Sequence, residues 1–160
     1  MDKIILWSVW ILTAILLLVF IKRDNFINAQ LSFMFMQIPC WLFGTLVAEG
    51  KLIEYPIGFL NNVYKASFTF EFFVFPSISA IFNVYFPTHK SWFIKTVYTL
   101  SFPAAMTIVE VLLEKNTDII TYIRWSWYWS FITILITLLI SYWYYLWFFR
   151  KIRAISKASS

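Results

Sequence analysis

Histidine, cysteine and glycine are almost missing from this chain of 160 residues: there is one histidine, His89, one cysteine, Cys40, and three glycines. One cysteine excludes an internal disulfide and any multi-cysteine metal site. Within an apolar span, Cys40 reads as a buried structural thiol. His89 sits beside Lys90 in a short turn, at a different depth from Cys40, so the two do not form a nucleophile–base pair. No HExxH, no paired cysteines and no glycine-rich phosphate loop occur. These absences predict a non-enzymatic protein with no metal and no cofactor. Charge is scarce as well, at 13% of residues, too little to cover the surface of a soluble domain of this size. The net charge of +5 comes with no basic stripe on a soluble domain, which argues against a nucleic-acid partner.

What remains is apolar. Hydrophobic residues make up 61% of the chain and aromatic residues 22%. Several windows reach the roughly 18–20 apolar residues needed to cross about 30 Å of hydrocarbon. The pattern predicts an all-α integral membrane bundle, one domain over residues 1–149, with about five transmembrane helices at about 4–21, 29–48, 68–86, 92–113 and 127–149. The lipid bilayer is then the first partner. The first run closes on Lys22-Arg23-Asp24, with no small-residue cleavage site, so it reads as an uncleaved helix rather than a signal peptide. Pro56 and the helical spacing of Phe59, Leu60, Val63 and Tyr64 predict a short interfacial helix in the long connection after the second span; a re-entrant segment is the alternative. Residues 150–160 read as a basic, serine-ending tail.

Five spans put the termini on opposite sides. With the C-terminus inside, eight basic residues fall inside and five outside, which favours a cytoplasmic C-terminus and an external N-terminus.

Polar residues inside the spans carry the functional signal. Ser67 to Glu114 reads as a helical hairpin about the turn Pro87-Thr88-His89-Lys90. In an antiparallel hairpin, Pro76 meets Pro103, Glu71 comes close to Glu110, and Asn83 meets Lys95. In the second arm Thr96, Thr99, Pro103, Thr107, Glu110 and Glu114 share one helical face. In the last span Ser126, Ser130, Thr133, Thr137 and Ser141 do the same. In the second span Gln30, Gln37 and Gly44 recur on one face; Gln37 reads as a helix-packing residue, and the glycine admits a close neighbour. The run Trp125-Ser-Trp-Tyr-Trp129 reads as an interfacial anchor before it reads as a ligand box.

The acidic cluster Glu71, Glu110 and Glu114, with Arg124 returning on the same side, admits three readings. One is a structural ion pair of Arg124 with a glutamate, the second glutamate protonated or hydrogen-bonded to Thr69 or Thr107. Another is a cation or proton site lined by proline-loosened helices. The third is a surface on which the polar rows meet another membrane protein or a second copy of the chain.

The runs Ser67-Phe-Thr-Phe-Glu-Phe-Phe-Val-Phe-Pro76, Phe82-Asn-Val-Tyr-Phe-Pro87, Trp41-Leu-Phe-Gly44, Leu52-Ile-Glu-Tyr-Pro56, Glu110-Val-Leu-Leu-Glu114 and Trp125-Ser-Trp-Tyr-Trp129 resemble a family of small multi-pass membrane proteins from endospore-forming Gram-positive bacteria. The resemblance implies a bacterial cell membrane and a link to the life of spore-formers. It brings no catalytic or binding residues with it. Residue reading and resemblance together predict a non-enzymatic interaction or assembly subunit. The alternative is a small cation- or proton-coupled transporter or channel component using Glu71 and Glu110. An intramembrane enzyme using the paired carboxylates is the reading least favoured.

Overall fold

The computed structural model describes residues 2–60 and 63–158. Five helices form an all-α bundle: α1 (Asp2–Phe20), α2 (Phe26–Glu49), α3 (Phe75–Val84), α4 (Trp92–Asn116) and α5 (Trp127–Ala158). A 3-10 turn, Arg23–Asn25, precedes α2, and a π-helical turn, Phe70–Val74, runs straight into α3. Among the described residues, four stretches are long and apolar enough to cross a membrane: Asp2–Phe20, Arg23–Glu49, Trp92–Asn116 and Trp127–Ile152. Their exposed side chains are large and apolar, among them Leu18, Ile27, Trp92 and Trp143, as lipid-facing surfaces require.

The third expected span differs from the other four. Its π turn and α3 together reach only about 22 Å at helical rise. It is also the most buried element, with Phe82, Ser77 and Ser79 at 0% exposure. A short helix enclosed by longer ones can carry polar groups that a lipid-facing helix cannot. The Trp10 ring of α1 stacks on Phe73 at 4.2 Å, and its indole N–H donates to Thr69 Oγ1 at 3.2 Å. At the other end, Phe82 packs among Phe86, Tyr98, Phe102 and Tyr142. Tyr98 donates to the Phe82 carbonyl at 3.1 Å, holding α4 against α3.

Proline and glutamine cooperate in the π turn. Pro76 brings no N–H to the carbonyl one α-helical turn back, Phe72 O. The Gln37 side-chain amide of α2 donates to that oxygen at 3.2 Å. Ser77 donates to the neighbouring Phe73 carbonyl at 2.6 Å. Gln37 thus packs helices by serving a backbone group displaced from regular pairing.

The connections at one end of the bundle are ordered by a feature that hydrophobic periodicity did not foretell. At the end of α2, Lys51 adopts the left-handed conformation (φ 51°). Its N–H bonds to Ala48 O at 3.0 Å and that of Leu52 to Val47 O at 3.1 Å, a Schellman turn. The chain then pairs β1 (Ile53–Glu54) antiparallel with β2 (Thr121–Tyr122), Ile53 facing Tyr122. Ile53, Ile119 and Ile120 turn inward onto Leu6, Phe70 and Val74. Among the described residues 56–60 and 63–65 no helix forms where an interfacial one was expected, and Asn61 and Asn62 lie outside the described residues; the Tyr64 N–H bonds to Leu60 O at 2.8 Å. Strand pairing and the Tyr64 contact described below take the place of an amphipathic face on the membrane. The helix of α5 continues through Ala158 into the basic tail.

Candidate functional site

Glu71 lies in the π turn and is 3% exposed. It fits there because Gly44 of α2 has no side chain: a Cβ on Gly44 would overlap the Glu71 carboxyl. One carboxyl oxygen, Oε2, accepts a hydrogen bond from the Tyr64 hydroxyl, which itself lies 3.4 Å from Thr45 Oγ1. The other, Oε1, is buried without a partner. Glu110 lies on the facing side, near the end of α4. Its Oε1 accepts from the Tyr122 hydroxyl of β2 and from the Ser130 hydroxyl of α5, each at 2.6 Å. Ser130 is held in turn by the Trp125 indole N–H at 2.8 Å.

Both glutamates line a single cavity of about 230 Å³. Its wall is otherwise mainly apolar, with aromatic rings from Phe43, Tyr55, Phe70, Phe75 and Trp125, and among the described residues no lysine, arginine or histidine contributes to it. Thr133 and Thr137 of α5 also line it. Their hydroxyls donate to carbonyls of their own helix, Thr133 to Trp129 and Ser130, Thr137 to Ile134. The tyrosines around the carboxyls are perturbed in one direction. Burial, and secondarily the nearby carboxyls, push Tyr64, Tyr122 and Tyr55 above the ordinary phenol value.

Several expected contacts are replaced. Arg124 makes no ion pair with Glu71, Glu110 or Glu114: it is exposed, and its backbone N–H bonds to Leu52 O at 3.1 Å. Strand pairing fixes the backbone beside Tyr122, so the phenol and the Ser130 hydroxyl reach Glu110 and the guanidinium stays outside. The ion pair found among the described residues joins exposed Lys65 to Glu49 at 3.0 Å. Glu114 is half-buried, one helical turn beyond Glu110, and does not line the cavity. Thr69 takes the Trp10 indole rather than a glutamate, and the buried Thr107 Oγ1 has no partner. Asn83 does not meet Lys95. It donates to Ser32 at 3.1 Å and to Ser141 at 2.9 Å, and Ser141 lies 2.7 Å from Ser79, a buried network joining α2, α3 and α5. Lys95 is half-buried on α4.

Sequence reasoning missed Tyr64, Tyr122 and Trp125 as partners of the site. The spacing of Tyr64 points to an interfacial helix rather than to the site, Tyr122 lies in a connection without a periodic signal, and Trp125 belongs to a run whose other members, Trp127 and Trp129, are exposed as interfacial residues are. The chain matches no protein-family model, and no curated protein and no solved structure matches it. Any chemistry must therefore be argued from the cavity itself. Two carboxyls in an apolar enclosure can hold a cation or pass a proton.

Proposed function

We propose that this chain is a non-enzymatic, multi-pass protein of a bacterial cell membrane that takes up a cation or proton at Glu71 and Glu110. One observation carries the reading: both carboxyls line one cavity whose wall has no basic side chain, and Glu71 Oε1 is buried without a partner. An acceptor left open in such a place costs about 1–3 kcal/mol unless something donates to it. A role in packing alone would be served better by an ion pair or by an apolar residue. The serine and threonine row of α5, which could have met a partner helix, is spent inside the bundle: Ser130, Thr137 and Ser141 are buried. That favours transport or sensing over assembly. The basic-residue bias supports a cytoplasmic C-terminus and an external N-terminus, and the family resemblance supports the bacterial setting.

Proteoliposomes test this. A pH dye trapped inside should report proton movement, or movement coupled to an added cation, with wild-type protein, and fall to the level of empty vesicles with Glu71→Gln. Equal signals from wild-type, variant and empty vesicles would overturn the proposal.

A further inference from the structure

We propose that the cavity binds an organic ammonium ion of about nine non-hydrogen atoms, its charged head between Glu71 and Glu110 and its apolar body against the aromatic wall. The inference rests on the reading of the two glutamates as a cation site and names the class of cation.

Four observations converge on it. Two acidic side chains and no basic one line the wall, so the complementary occupant is positive. Glu71 is 3% exposed, and its Oε1, packed against Gly44 on the same wall, makes no hydrogen bond by geometry. Rings from Phe43, Tyr55, Phe70, Phe75 and Trp125 line the space and offer apolar surface to the body of an organic cation. The wall is otherwise hydrocarbon, and no group of three or more metal-ligating side chains occurs among the described residues. An inorganic cation takes six or so oxygen ligands; even if the Thr133 and Thr137 hydroxyl oxygens, whose protons go to their own helix, joined the two carboxyls, hydrocarbon would meet the remaining sides. An organic cation brings its own apolar surface. Its size follows from the volume: a ~150 Å³ apolar cavity holds benzene, so about 230 Å³ suits roughly nine heavy atoms. The ammonium can belong to a free amine or to the ethanolamine headgroup of a lipid.

Phenethylamine, phenethyl alcohol and phenylacetate are near-isosteric probes of this size. By calorimetry with purified full-length protein in neutral maltoside micelles, phenethylamine should bind about ten- to a hundredfold more tightly than the alcohol, the margin of a hydrogen bond to a charged group. Phenylacetate should bind more weakly than either. Glu71→Gln and, separately, Glu110→Gln should reduce the amine's advantage over the alcohol about tenfold. The comparison among probes on wild-type protein stands even if a variant fails to fold. Nanodiscs of phosphatidylglycerol, with and without phosphatidylethanolamine, separate the sources. Competition by the ethanolamine lipid assigns the site to a headgroup, and undisturbed phenethylamine binding assigns it to a free amine. Equal binding of amine and alcohol, or no binding of either, overturns the ammonium class. If Glu71-dependent flux persists in proteoliposomes under that outcome, the cation-site reading stands and only its ligand class is wrong; if flux is absent too, both fall.

Discussion

The Glu71 carboxyl occupies the space that a side chain on Gly44 would fill. A helix in the middle of a bundle can carry a buried acid here only because the facing helix offers a residue with no Cβ. Gly44→Ala should therefore destabilise the protein by about 1–3 kcal/mol, the usual cost of overpacking, in thermal unfolding in mild detergent. Adding Glu71→Ala should remove most of the clash, so the double-mutant cycle should couple by more than about 0.5 kcal/mol. Additive effects would show that the two residues do not meet.

Glu110 is held by hydroxyls rather than by a guanidinium. Tyr122→Phe should cost about 1–3 kcal/mol by withdrawing a donor from a mostly buried carboxyl. Arg124→Ala, on an exposed side chain, should stay within about 0.5 kcal/mol and be additive with Glu110→Gln. Strong coupling of Arg124 to Glu110 in such a cycle would restore the ion pair and place a guanidinium on a carboxyl that the cation site needs free of a basic partner.

The third prediction concerns the π turn. Gln37→Leu should cost about 1 kcal/mol by taking the donor from Phe72 O. In a Pro76→Ala background position 76 regains its N–H, and the same Gln37 substitution should cost measurably less. An equal cost in both backgrounds would mean that Gln37 acts through packing alone.

How much of this was legible beforehand follows from what each feature depends on. Helix positions were legible because apolar runs of membrane length leave few alternatives, and Glu71 and Glu110 stood out because carboxyls are rare in such runs. The hairpin alignment carried them to one depth. The alignment could not find β1 and β2, two residues each, since pairing that short rests on tertiary context rather than on alternation. Because that pairing decides that Tyr122 reaches Glu110 and Arg124 does not, the ion pair was misjudged along with it. Gly44 was recognised as a place for close approach, but its visitor, the carboxyl of Glu71, depends on a π turn that no sequence pattern announces.

Alkaline pH tests the half-buried phenols outside the spans. Burial raises the folded values of Tyr55, Tyr64 and Tyr122 above the unfolded value near 10, so the folded protein keeps protons that the unfolded chain gives up. Their contribution to stability should be intact below about pH 10 and decline as pH rises from there through the folded values. Phenolate absorbance should show these tyrosines lagging the exposed ones, with Tyr122→Phe removing part of the late amplitude. A single ordinary titration of all tyrosines in the folded protein would contradict their burial.

Cys40 gives the most direct test of the central claim, that a cavity carrying Glu71 and Glu110 draws cations into the bundle. It lines that cavity and is the only cysteine. Aminoethyl and sulfonatoethyl methanethiosulfonate deliver a positive and a negative group to a thiol by the same reaction. The ratio of their rates at Cys40, divided by their ratio on a small free thiol in the same micelles, should favour the ammonium reagent by about tenfold or more, the effect of an oppositely charged cleft on local ion concentration. The preference should vanish in the Glu71→Gln/Glu110→Gln protein. A ratio equal to that of the free thiol, unchanged by the double substitution, would contradict the account.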